Sequence, residues 1–348
     1  RQRAALAESS RRLSAAKQEL LARRLRGQAP TARAAAAVLA RRPTGGAGAA
    51  AAARRPAAPA ILVKLQEGAR GRLPFFCVHA IGGAVFSYGE LARLLGPEQP
   101  FYGLQSPGLE SGVALDDLVA LAAQYAAAVE AAHPQSQGPY LLGGWSFGGV
   151  VAFEMARQLR ARGIEMGLLA LLDAWSPAAL SVSTSRSEAE LLRLFLRDQA
   201  GLQGRPAAWL EEIADLEDLD QRNEEASKAA VGRLLARARE AGLLRADLRP
   251  EQAQRLLGVY RANLRALSAY RPPAYAGRLI LFRPAAAPAD PGDRRAANGW
   301  EAAEIVVEEV SGDHYTMLAP PQVEVLAARL GAAIARVASK RQEAEAVR

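Results

Sequence analysis

From residue 61 onward, short apolar runs alternate with longer stretches in which apolar residues recur at helical spacing. The longer stretches predict helices at about 115–132, 148–162 and 321–337. Alternation of this kind is typical of a mostly parallel sheet covered by helices on both faces. The sequence therefore predicts an α/β fold. Its predicted strands span residues 75–78, 101–104, 140–143, 168–172, 279–283 and 305–310.

Residues 187–270 interrupt this alternation, since they show no strand pattern and hold several amphipathic helical stretches. Ser187 and Glu190 form a capping-box pattern, and Pro250-Glu251 suits the first turn of a helix. A stripe at helical spacing follows, made of Leu256, Leu257, Tyr260, Leu264 and Leu267. An all-helical insertion between two strands predicts a lid over the strand ends. The alternative is a structural bundle remote from any site.

The first 60 residues have a different composition. Residues 10–26 predict a helix, and residues 30–59 are mostly Ala, Arg, Gly and Pro, as in a flexible linker. The sequence thus predicts a leader helix and linker over 1–60 and a folded domain over 61–348. We interpret the leader as a severed connection to an upstream region, and a helix that docks a partner is the alternative.

The net charge of +8 is concentrated in this leader. Residues 1–60 hold 13 Lys/Arg and two acidic residues, which leaves 31 basic and 34 acidic residues for the remainder. The predicted folded domain therefore carries a net charge of −3. Because it shows no nucleic-acid-binding motif, binding to nucleic acid is not expected.

Other bulk features exclude further classes of protein. No apolar run is long enough to span a membrane, and the first residues lack the order of a secretory signal. The single cysteine, Cys77, rules out an internal disulfide and the common zinc-binding cysteine patterns. We therefore expect a cytoplasmic protein without a metal site.

The most informative segment is Gly144-Trp145-Ser146-Phe147-Gly148, which follows an apolar run and precedes a helical pattern. A serine hydroxyl is a weak nucleophile, so it must project from a tight strand-to-helix turn towards a base. Glycines flank the serine because side chains there would collide across the turn. The pattern predicts Ser146 as a nucleophile. The alternative is a glycine-rich turn with an incidental serine.

A catalytic base is expected after the serine in the chain. Of the three histidines, His79 precedes Ser146, and His133 is expected to lie in a surface turn because it precedes Pro134. His314 follows the last predicted strand, in a loop that leads to the final helix. It is therefore predicted as the base, and a surface-loop histidine is the alternative.

The acid has three candidates. Asp173 ends the strand predicted at 168–172, so its carboxylate is expected at the same sheet edge as Ser146. Asp290 and Asp293 follow the next strand in a loop rich in Pro and Gly. Asp173 is preferred because it directly ends an apolar strand. Asp313 adjoins His314 but is expected to point elsewhere.

An oxyanion hole is expected from backbone N–H groups. One donor is predicted to be the N–H of Phe147, and the other comes from the loop over residues 78–83 after the first strong strand. His79 is predicted to hold this loop rather than to do chemistry. Cys77 is predicted to be an inert thiol in the core.

Together these residues resemble the type I thioesterase domains that end polyketide synthases and nonribosomal peptide synthetases. The resemblance covers about residues 61–340, and the strand ending in Asp173 matches the family's acid position. Further likeness lies in Tyr270-Arg271-Pro272 and Gly299-Trp300. The segments that carry the resemblance most strongly are 76–83, 144–149, 172–173 and 312–318.

The resemblance implies an α/β-hydrolase fold and an acyl-Ser146 intermediate, with the N–H groups of Ile81 and Phe147 as oxyanion donors. It implies that an acyl or peptidyl chain is taken from the phosphopantetheine thioester of a carrier domain, by hydrolysis or macrocyclisation. No bound cofactor is expected, and an upstream synthase module is a possible partner. The alternatives are an esterase for small esters or lipids and a noncatalytic scaffold.

Overall fold

The computed structural model describes residues 61–134, 138–180, 187–205, 224–244, 248–285 and 297–346. The leader helix and linker predicted over residues 1–60 lie outside these ranges and stay predictions. The loop that holds Asp290 and Asp293 also lies outside them.

The centre of the fold is a 7-stranded sheet in the order β1-β3-β2-β4-β5-β6-β7. Only β1 runs antiparallel to its neighbour, and the remaining pairs are parallel. The predicted α/β fold is confirmed. The strands are β1 (Leu62–Gln66), β2 (Phe75–Val78), β3 (Phe101–Leu104), β4 (Tyr140–Trp145), β5 (Met166–Leu172), β6 (Tyr275–Pro284) and β7 (Ala302–Val310).

Strand β1 is absent from the sequence-based prediction. Its residues are only partly buried and include Lys64, because it lies at the edge of the sheet and pairs with β3 alone. The central strands β2 and β4 are buried along their whole length, which explains why they read as apolar runs. The partial burial of β1 thus leaves no fully apolar run from which a strand could be predicted.

Helices cover both faces of the sheet, and each face has its own apolar cluster. One cluster includes Tyr125 and Phe153, and the other includes Leu91 and Leu326. The helices outside the insertion are α1 (Gly89–Leu94), α2 (Gly108–Ser111), α3 (Leu118–Ala132), α4 (Phe147–Ala161) and α8 (Val323–Ala346). None of the helices in the described ranges has both the length and the apolar character needed to cross a membrane.

Between β5 and β6 lie α5 (Glu188–Leu202), α6 (Glu224–Glu240) and α7 (Pro250–Ala269), which we call the helical insertion. Ser187 Oγ accepts a hydrogen bond from the Glu190 N–H at 3.2 Å, as the capping pattern predicts. Pro250 begins α7, where its missing N–H has no cost. The three helices share a separate apolar cluster that includes Phe195, Leu234 and Leu257.

Candidate active site

Ser146 lies in a sharp turn between β4 and α4. Its φ is 57° and its ψ is −123°, a strained conformation for a residue with a side chain. A Cβ on Gly144 would lie 2.2 Å from the carbonyl carbon of Gly148, and a Cβ on Gly148 would lie 2.3 Å from the Val78 oxygen. The two glycines are therefore needed for the close backbone contacts that hold the turn.

Asp173 and His314 are directly hydrogen-bonded. The Nδ1 atom of His314 lies 2.7 Å from Oδ2 of Asp173, whose side chain is almost fully buried. Asp173 has a φ of 40°, and its N–H donates to the Phe282 carbonyl on β6 at 2.8 Å. The end of β5 thus aims the carboxylate at the imidazole and fixes which imidazole nitrogen faces it.

Ser146 emerges at the same sheet edge as Asp173. Strands β4 and β5 are parallel, with Trp145 opposite Leu172, and the Ser146 N–H donates to the Leu172 carbonyl at 2.9 Å. The Trp145 ring lies 5.0 Å from the His314 ring. Within the described ranges no hydrogen bond joins the Ser146 hydroxyl to His314. Catalytic hydrogen bonds often form only when substrate is bound.

The side chain of Asp313, the neighbour of His314, points towards the backbone of its own loop. Its Oδ1 accepts the N–H groups of Tyr315 and Thr316, each at 2.9 Å. The hydrogen bond from the Thr316 backbone is the main reason that the Asp313 pKa is lowered. The carboxylate therefore organises the loop that carries His314, which agrees with the prediction that it points elsewhere.

Hydrogen bonds to a single carbonyl fix the conformation of the loop after β2. The Ala80 carbonyl accepts from His79 Nδ1 at 2.6 Å and from the Gly83 N–H at 2.9 Å. This pins the peptide that carries the Ile81 N–H, which is trans to that carbonyl. In the described part of the chain, the N–H groups of Ile81 and Phe147 have no acceptor.

His79 itself is fully buried. Its Nε2 accepts from the Tyr125 hydroxyl at 2.7 Å, and burial lowers its pKa to about 4. A neutral imidazole with both nitrogens in use has no free group for chemistry, so its contacts are those of a residue that holds the loop. Cys77 is likewise buried in β2, where burial raises the pKa of its thiol.

A sequence model described as the thioesterase domain matches residues 73–334. The chain belongs to the thioesterase domain family. Chondramide synthase from Chondromyces crocatus is 32% identical over 296 residues, which are 82% of this chain and 7% of that protein. A dimodular nonribosomal peptide synthase from Bacillus subtilis is 33% identical over 215 residues, 60% of this chain and 8% of the relative.

Solved structures show the same fold. A four-domain nonribosomal peptide synthetase, holo-AB3403, has a TM-score of 0.66 at 28% identity, covering 78% of this chain and 20% of that one. The NocB thioesterase domain in a covalent complex with a fluorophosphonate nocardicin G analogue has a TM-score of 0.52 at 27% identity. That comparison covers 76% of this chain and 94% of the solved NocB thioesterase domain. The predicted α/β-hydrolase fold is confirmed. The chain spans less than a tenth of the length of the two synthases named above.

Three hydrogen bonds of this thioesterase domain are not predicted from its sequence. In α7, the Asn263 amide donates to the Ile81 carbonyl at 2.7 Å. In α5, Asp198 accepts from Tyr315 at 2.5 Å and from Tyr260 at 2.6 Å. A buried Asn among the leucines of α7 is the signal that points to the first contact.

Buried polar contacts also explain the Tyr270 and Trp300 segments of the thioesterase domain. The Tyr270 hydroxyl donates to Glu154 on α4 at 2.7 Å, and Trp300 Nε1 donates to the Ala174 carbonyl at 2.8 Å. Burial favours the neutral form of Glu154, but hydrogen bonds, first from Arg157, outweigh it and lower its pKa. Trp300 thus braces the residue after Asp173, and Tyr270 ties the end of the insertion to α4.

Proposed function

We propose that this thioesterase domain releases an acyl or peptidyl chain from the phosphopantetheine thioester of a carrier domain, through an acyl-Ser146 intermediate. The observation that carries the proposal is the 2.7 Å contact between His314 and Asp173 at the sheet edge where the strained Ser146 turn emerges. A base oriented by a buried acid beside a serine on a sharp turn is the arrangement that nucleophilic acyl transfer needs.

In the first half-reaction, Nε2 of His314 takes the proton of the Ser146 hydroxyl as Oγ attacks the thioester carbonyl carbon. Asp173 holds the Nδ1–H and stabilises the imidazolium that forms. The carbonyl oxygen gains negative charge, and the N–H groups of Ile81 and Phe147 stabilise it. When the intermediate collapses, the carbon–sulfur bond breaks and the thiol of phosphopantetheine leaves with the proton from His314.

In the second half-reaction, His314 removes a proton from water or from a hydroxyl or amine of the acyl chain itself. That oxygen or nitrogen attacks the ester carbonyl, and Ser146 leaves with the proton. Water gives hydrolysis, and an internal group gives macrocyclisation. We propose hydrolysis as the default outcome and the helical insertion as the lid that shapes the acyl channel.

The substrate class is supported by the relatives, which are named as synthases of chondramide and of nonribosomal peptides. The thioesterase domain similarity and the fold match to a four-domain synthetase support a carrier domain as the partner. Phosphopantetheine then belongs to the substrate, and the domain needs no bound cofactor of its own. A cytoplasmic location is part of the proposal because the only cysteine is a free, buried thiol.

The proposal is tested by intact-mass analysis after treatment with a fluorophosphonate and by turnover of an acyl thioester. We expect one adduct, on Ser146. Ser146→Ala is expected to lose the adduct and about 10⁴–10⁶-fold in turnover. Ser111→Ala, at an exposed serine, serves as the matched control and is expected to keep both. An adduct on another residue, or near-normal turnover by Ser146→Ala, would refute the proposal.

The same assay identifies the acid and the acceptor. Asp173→Asn is expected to lower turnover by about 10⁴-fold because the imidazole then adopts the wrong tautomer. Asp290→Asn and Asp293→Asn are expected to keep wild-type rates, and a loss in either would move the acid to that position. The product mass from a thioester with a terminal hydroxyl separates hydrolysis from macrocyclisation.

A further inference from the structure

Tyr315 connects the loop of His314 to the helical insertion. Its hydroxyl donates to Asp198 on α5 at 2.5 Å, and its ring meets the His314 ring edge-on with centroids 5.1 Å apart. The same ring packs against Gly201, where a Cβ would lie 2.8 Å from it. Tyr315 therefore packs against α5 and is hydrogen-bonded to it on one side, and it contacts the predicted base on the other.

Asp198 is shared between two helices of the insertion. Its other oxygen accepts from the Tyr260 hydroxyl on α7 at 2.6 Å. Burial, followed by the charge of Asp198, raises the pKa of both tyrosines, so both remain hydrogen-bond donors at neutral pH. Hydrogen bonds from neutral donors to a carboxylate are among the stronger ones in proteins.

The helix that carries Tyr260 also contacts the loop after β2. Asn263, three residues later and so on the same side of α7, donates to the Ile81 carbonyl at 2.7 Å. The Asn263 side chain is nearly fully buried, at 1% exposure, so water does not replace this contact. One face of α7 is therefore hydrogen-bonded directly to Ile81 and is linked to Tyr315 through hydrogen bonds to Asp198.

We propose that Asp198 and Asn263 are positioning residues, through which the helical insertion sets the orientation of His314 and of the Ile81 peptide. The inference rests on the catalytic roles proposed above for Ser146, His314 and Ile81. Because both contacts lie on one helix face, a displacement of the insertion releases the base and the oxyanion donor together. The insertion then determines the reactivity of Ser146 as well as the shape of the acyl channel.

A purely channel-forming insertion makes a different prediction. Changes in such an insertion would alter the reaction rate of long acyl chains but not that of a probe too small to fill the channel. The test is therefore the second-order rate of Ser146 labelling by diisopropyl fluorophosphonate in the full chain. This reaction needs the base and the oxyanion donors but no acyl channel.

We expect Tyr315→Phe and Asp198→Asn each to slow labelling by about tenfold, the effect of losing a hydrogen bond to a charged group. The double variant is expected to be no slower than Asp198→Asn alone, since Tyr315→Phe removes only a contact that Asp198→Asn already weakens. Asn263→Ala is expected to slow labelling by a similar factor, and Asp198→Glu to restore part of the rate. Ser268→Ala is the matched control, because it removes an α7 hydroxyl that, among the residues the structure describes, donates only to the Arg265 carbonyl.

Labelling at the wild-type rate in Tyr315→Phe, Asp198→Asn and Asn263→Ala, with loss only on long acyl thioesters, would overturn the inference. Tyr315→Phe keeps the ring that packs on Gly201, so this variant is expected to fold. Its labelling rate therefore tests the inference even if Asp198→Asn unfolds. Wild-type protein that is not labelled on Ser146 would instead refute the proposed function. The two failures are therefore distinct.

Discussion

The sheet and its flanking helices differ from the helical insertion in what fixes their geometry. Around Ser146, backbone atoms approach so closely that Gly144 and Gly148 have no room for a Cβ. In the insertion, Gly232 and Gly258 have open space around them, and the helices are held by their own apolar cluster. The geometry of the Ser146 turn thus depends on close backbone contacts, whereas that of the insertion depends on side-chain packing.

The two regions meet mainly along α7. Its last turns place Ala266 and Leu267 in an apolar cluster of the sheet, while Leu257 and Tyr260 belong to the cluster of the insertion. Tyr270, directly after the helix, is hydrogen-bonded to Glu154 on α4. This helix therefore transmits any displacement of the insertion to the sheet, and three sets of variants test the comparison.

The largest difference is expected between glycines of the two regions. Gly144→Ala is expected to destabilise the protein by about 4 kcal/mol or more, because backbone atoms of α4 cannot move aside. Gly258→Ala, in α7, is expected to stabilise it by about 0.5–1 kcal/mol through helix propensity. Urea unfolding measures both. Equal effects of the two variants would contradict the contrast between the regions.

The next largest effect is a pH dependence of stability that arises in the sheet region alone. Burial lowers the pKa of His79 to about 4 in the folded protein, below about 6.5 in the unfolded chain. Between these pH values the unfolded chain binds more protons than the folded protein. The stabilising contribution of neutral His79 is therefore complete above pH 6.5 and falls by about 3 kcal/mol as the pH drops towards 4.

Urea unfolding of wild type and His79→Gln at pH 7, 5.5 and 4.5 measures this contribution. We expect the stability difference between the two proteins to be largest at pH 7 and to shrink as the pH falls, since other titrating groups cancel in the comparison. A difference that stays constant with pH would show that His79 is not buried in its neutral form.

The smallest effect is expected at the junction of the two regions. Tyr270→Phe removes a hydrogen bond to a buried carboxylate and is expected to cost about 2 kcal/mol of unfolding free energy. Tyr140→Phe, which removes a hydroxyl bonded to the neutral His133 carbonyl, is expected to cost about 1 kcal/mol. If Tyr270→Phe costs no more than Tyr140→Phe, the junction does not depend on the charge of Glu154.

Local patterns carry much of the architecture of this thioesterase domain. Strands β2 and β3 have the predicted bounds, because a strand buried along most or all of its length is a short, uninterrupted apolar run. Helix α3 begins at Leu118 rather than near 115, since the Asp117 side chain accepts from the Ala120 N–H at 2.8 Å. The Ser146 turn is predictable for a similar reason: its steric requirement is met by neighbouring glycines.

Contacts between distant residues have no such local signature. Asn263 and Ile81 are 182 residues apart, and Tyr315 and Asp198 are 117 apart, so no spacing in the chain indicates that they meet. The sequence likewise leaves three candidate acids after Ser146, and only the order of β4, β5, β6 and β7 in the sheet brings Asp173 to the loop of His314. Most helices and strands and the sharp turn at Ser146 could be predicted from the sequence alone, because their causes are local. The tertiary structure decided which loops and helices act together, because those contacts depend on how the elements pack.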